Sequence, residues 1–124
     1  MDKSVLQEYA ISVAAKTEGV DVGVVRAGLD VGVLDWVMII SMIIEAITAF
    51  IDQCQQTDKA LVNSVKNPNR LQKARFYNLV RDSFDDCRYL GWRRQARQYA
   101  DTMMDNLPSD AEIVQIVGEV RGGF

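Results

Sequence analysis

Arg88, Tyr89, Trp92, Arg93, Arg94, Arg97 and Tyr99 bring cations and aromatic rings together in one short segment. That composition can grip phosphates through guanidinium groups and stack bases on rings. With Lys73 added, the residues expected to reach a nucleic-acid backbone are Lys73, Arg88, Arg93, Arg94 and Arg97. Two features weigh against this use. Helical spacing places Trp92 and Tyr99 on the side that faces a core. The chain as a whole is also acidic, with 17 Asp and Glu against 14 Lys and Arg and a net charge of -3. The cations are concentrated between Lys66 and Tyr99, and the rest of the chain is acidic, so Arg93, Arg94 and Arg97 are expected to meet acids of the same chain or of another copy.

Other arrangements able to do chemistry are sparse. The sequence contains no histidine, which removes the commonest general base and the commonest metal ligand together. Cys54 and Cys87 are far apart, lack Cys-x-x-Cys spacing and sit in no nucleophile motif, so they read as buried, reduced thiols. Asp82, Asp85 and Asp86 share a helix face but are flanked by Arg81 and Arg88 at pairing distance. Divalent cations need more converging oxygens than this group supplies. Gly19, Gly23, Gly28 and Gly32 are not followed by Gly-Lys-Ser or Gly-Lys-Thr, and no dinucleotide fingerprint occurs. The expectation is a non-enzymatic protein with no metal and no cofactor.

The helices that would position these residues are organised around Trp36 to Ile51, WVMIISMIIEAITAFI. At 100° per residue its polar side chains Ser41, Glu45 and Thr48, with Asp52 beyond them, fall on one narrow stripe. Everything else on this helix is apolar, and neighbouring helices must wrap it. The apolar run of about sixteen residues is shorter than the roughly twenty that span a bilayer. Glu45 lies inside it, Asp35 and Asp52 lie near its ends, and no basic flank marks a cytoplasmic side. A buried or oligomer-interface helix is therefore expected over a membrane segment.

Ahead of it, Val20-Asp21-Val22-Gly23-Val24-Val25 is echoed nine residues later by Leu29-Asp30-Val31-Gly32-Val33-Leu34. In one reading the valines alternate across a small β-hairpin over 20–34. In the other each Asp caps a helix, with Val20 stapled to Val25 and Leu29 to Leu34. The second accounts for more of the repeat, and it starts the central helix at Val31, capped by Asp30, and carries it to about Gln55.

The remaining elements are also helical. Ser4 to Lys16 spaces Val5, Leu6, Tyr9, Ala10, Val13 and Ala14 along one face, with Asp2 or Ser4 as cap and Gly19 as terminator. Helical character continues through Gln53–Lys66 until Asn67-Pro68-Asn69 breaks it, where an Asn can cap the next helix. Phe76, Val80, Phe84, Cys87 and Leu90 form one stripe, Gly91 interrupts or stops it, and Trp92 to Leu107 resumes it. Ser109 and Glu112 have capping-box spacing ahead of a last short helix.

The sequence thus predicts an all-α, compact bundle of about five or six helices around a long, mostly apolar central helix, about 31–55. One domain would cover 1–120, with 121–124 as a flexible tail. The N-terminus lacks a signal-peptide pattern, and a cytoplasmic location is expected. The expected function is structural or adaptor-like: helix-mediated protein association, with a homo-oligomer or larger assembly as partner. Met38, Met42, Ile43 and Phe50 would supply the apolar contact and Arg93, Arg94 and Arg97 the register. Nucleic acid is the alternative partner, and a membrane the third.

Overall fold

A computed structural model describes residues 4–57, 68–85 and 92–122, and in these the chain forms six helices. They are α1 (Val5–Glu18), α2 (Val22–Asp30), α3 (Leu34–Thr57), α4 (Arg70–Asp85), α5 (Trp92–Asp105) and α6 (Asp110–Gly122). The bundle is all-α, as the apolar periodicity requires.

Local chemistry sets most of the ends. Ser4 caps α1 by accepting the Gln7 N–H, and Gly19 closes it in the left-handed conformation at φ 68°. A side chain there would be strained. Asp21 caps α2 through a 2.8 Å bond from the Gly23 N–H. At α4 and α6 the cap is reciprocal. The Asn69 and Gln72 side chains each accept the other's backbone N–H, and Ser109 and Glu112 do the same. Each such box satisfies two N–H groups that the helix itself leaves free.

Three expectations need correction. No hairpin forms over 20–34, because those residues build α2 and the turn after it. Asp30 does not cap the central helix; it is the last residue of α2. The turn passes through Gly32 at φ 72°, and α3 begins at Leu34 instead of Val31. At the other end, Arg121 and Gly122 continue α6 and do not belong to a tail. The helical readings of 58–66 and 86–90 and the break at Asn67 and Gly91 lie outside the described residues, as does Cys87.

α3 packs against α1, α2, α4 and α6, while α5 lies against α1 and α4. The core joins Ile43, Ile47 and Phe50 of α3 to Val13 of α1, Phe76 of α4, Tyr99 and Met103 of α5, and Ile113 of α6, all essentially inaccessible to water. Phe50 and Phe76 meet edge to face at 5.1 Å, and Phe84 stacks on Tyr99 at 5.2 Å. Ser41, Glu45 and Asp52 form the expected exposed stripe of α3, but Thr48 is only half-exposed.

Two enclosed hydroxyls, Tyr9 Oη and Thr48 Oγ1, find no hydrogen-bond partner. A buried donor without a partner forfeits its hydration and regains nothing. Tyr9→Phe keeps the ring and deletes that loss. It is expected to raise stability by about 1 kcal/mol, measured as a higher thermal midpoint at neutral pH.

Candidate protein-binding surface

The residues expected to hold partners are placed in three different environments. Met42, Ile43 and Phe50 are 4%, 0% and 1% exposed inside the chain's own core, and Met38 is half-buried. They stabilise the single chain and are not available to a second one, which corrects the interface expected of them. The physical reason is that α1 and α4 chiefly, with α2 and α6, pack around α3.

Arg97 belongs to an internal clamp between α4 and α5. Its guanidinium lies 4.9 Å from the centre of the Tyr77 ring, and its Nε approaches Asp101 Oδ1 at 3.4 Å. The Tyr77 hydroxyl donates to that same carboxylate oxygen at 2.5 Å. Partial burial, then the bond to Asp101 and its charge, push the Tyr77 phenol up to about 12. Arg97 therefore has partners within its own chain while staying open to solvent. Arg93 and Arg94 lie in the first turn of α5, and Lys73 is exposed on α4. Arg88 lies outside the described residues. Asp82 sits beside Arg81 at 3.7 Å on the open surface, and no three metal-ligating side chains converge among the described residues.

The unpartnered apolar surface is elsewhere, at the corner where α2 turns into α3. The inner side of α2 buries Val25 and Gly28. At Gly28 the indole of Trp36 occupies the space a Cβ would need. Glycine lets α2 lie flat on the start of α3 at that point. Backbone bonds from Val31, Gly32 and Val33 to Ala27, Leu29 and Gly28 then lock the turn. The turn, the start of α3 and several side chains early in α2 are left uncovered. Val31 is 79% exposed, Leu34 59%, Val24 50% and Val33 43%, with Val20, Val22 and Val37 close behind. Isolated apolar side chains at a surface are ordinary, but seven branched ones on one α-turn-α unit are not.

The corner is acidic as well as apolar. Asp30 and Asp35 are exposed beside it, and Asp21 is exposed at the other end of α2. Arg26, its one cation, is held by Glu8 of α1 through paired hydrogen bonds, Nη1 to Oε1 at 2.8 Å and Nη2 to Oε2. Sequence reading misses this surface because it spends the valines of 20–34 on staples. The available signal is their number, which exceeds what a nine-residue helix can bury on one face.

These features define an all-α bundle with a single-chain core and an uncovered apolar, acidic corner. No family model, no curated protein and no solved structure matches the chain. One helical window, Leu34–Gln53, is long and apolar enough to cross a membrane, at mean hydropathy 2.0, and 44% of it is buried in the bundle. The core helix of a bundle satisfies the same measure.

Proposed function

We propose that this is a non-enzymatic structural or adaptor protein, acting through helix-mediated association with protein, and that the α2–α3 corner is its contact surface. The observation that carries this reading is the run of exposed Val31, Val33, Leu34 and Val37 through the turn and the start of α3. Water around these side chains is released on contact, at roughly 25 cal/mol per Å² of apolar area covered. Their β- and γ-branched shapes lose little rotamer freedom on packing. The nucleic-acid reading has weaker support, because Arg97 already serves Asp101 and Tyr77.

The test is the pair Val31→Asp and Leu34→Asp in one chain. Both sites are solvent-exposed, and Asp at the first residue of α3 suits the positive end of the helix. The fold should persist, with unchanged far-ultraviolet circular dichroism. In sedimentation velocity the natural chain is expected to associate and the double variant to run as a monomer. A natural chain that stays monomeric at every concentration, and that captures no protein partner, would remove this reading.

A further inference from the structure

Resting on that reading, we propose that the corner's partner is the opposite pole of a second copy, the N-terminal turns of α4, so that the protein assembles head to tail. The surface in question carries Arg70 and Arg75, both exposed, on either side of Leu71, which is 58% exposed, while the exposed Lys73 lies on the far face of the helix. None of the three cations makes an ion pair among the described residues. No acid lies between Arg70 and Arg81 on this helix.

The two surfaces complement each other in charge and in kind. The corner presents branched apolar side chains with Asp30 and Asp35 beside them; the pole presents a leucine flanked by two cations. Arg and Lys cover apolar area with their methylene stems while their charged heads reach outward. Stems and Leu71 can therefore lie on Val31 and Leu34 as the heads meet the corner's carboxylates. Like-charged surfaces would repel in the alternative, symmetric pairing, because corner against corner sets Asp30 and Asp35 against the same two acids of the other copy.

The poles are also separate on one molecule. The corner lies at the start of α3, where Trp36 meets Gly28, whereas α4 joins α3 through Phe76 against Phe50. Fourteen residues of helix between Trp36 and Phe50 amount to about 21 Å. One copy can thus engage one neighbour at each end. A contact between two unlike surfaces is heterologous, and it closes into a ring or extends as a filament depending on the rotation between copies.

The test uses two full-length variants. Chain one carries Val31→Ser and Leu34→Ser, which removes the corner's apolar contact without adding charge; chain two carries Arg70→Glu and Arg75→Glu, which reverses the pole. Both positions are exposed and make no ion pair among the described residues, so chain two keeps its fold, and circular dichroism checks this. Each chain alone is expected to self-associate at least about tenfold more weakly than the natural protein. Mixed, they should form a 1:1 dimer that does not grow, since one intact corner and one intact pole remain. If chain two assembles as the natural chain does, the pole is not the partner and head-to-tail assembly is overturned, while the corner reading survives. If the natural chain does not self-associate but captures another protein through its corner, the inference again fails alone. Failure of the natural chain to bind any protein overturns both.

Discussion

Phe50→Ala is expected to cost about 3–5 kcal/mol of folding stability. Phe50 is 1% exposed, and its ring packs edge to face on Phe76 at 5.1 Å, joining α3 to α4. Truncation removes the buried ring, leaves a cavity that α3 and α4 can close only by moving, and strands Phe76 without its partner. Domains of this size hold about 5–15 kcal/mol in total, so roughly a fifth or more of the margin would disappear. Urea denaturation is the measurement, and the midpoint should fall with little change in slope. The outcome separates two roles for the residue. At an interface, Phe50→Ala would weaken association and spare the isolated chain. A core residue gives the reverse, and a variant that keeps the natural midpoint would contradict the placement of Phe50 inside the bundle.

The same residue shows what the sequence could and could not convey. The stripe Ser41, Glu45, Asp52 was legible because helical spacing says which side chains share a face. It does not say which apolar face the chain's own helices will cover. On a helix that is apolar nearly all round, Met42, Ile43 and Phe50 look no different from Val31, Leu34 and Val37. Only the packing of α1, α2, α4 and α6 on α3 separates core from contact surface. End signals behaved similarly. Ser4, Asn69, Ser109 and Glu112 were readable because a cap depends on residues within one turn. Asp21 and Asp30 stand in nearly identical local sequences, yet one begins a helix and the other ends it. In the structure the second repeat meets the turn: Trp36 seats on Gly28, α2 ends at Asp30 and the chain turns through Gly32.

Packing across helices was also invisible in the case of Tyr99, and its consequence is a steep loss of stability in alkali. Tyr99 is fully buried against Phe84, and its hydroxyl donates to Glu18 Oε1 at 2.7 Å, tying α5 to the end of α1. Burial first, and then the bond to Glu18 and its charge, raise this phenol far above its ordinary value of 10.0. Tyr9 is raised as well, by burial and then by the charge of Glu112. A phenol whose folded pKa exceeds its unfolded one keeps its proton in the native state after the unfolded chain has released it. The unfolded state then binds fewer protons, so stability falls as pH rises. Below the unfolded value near 10 both states are protonated, and the contribution is fully present. Above it, each tyrosine removes about 1.36 kcal/mol per pH unit, which makes about 2.7 kcal/mol for Tyr9 and Tyr99 together. The loss ends only when pH passes the folded values. Tyr77 adds in the same direction, but its more open setting screens it and it is left out of that figure. Chemical denaturation from about pH 8 to about pH 11.5 should therefore show a plateau and then a steep fall above about pH 10. Tyr99→Phe should remove about half of that slope, at the cost of its bond to Glu18 at neutral pH. An equal slope in the natural and Tyr99→Phe chains would mean that Tyr99 ionises as freely in the folded protein as in the unfolded one.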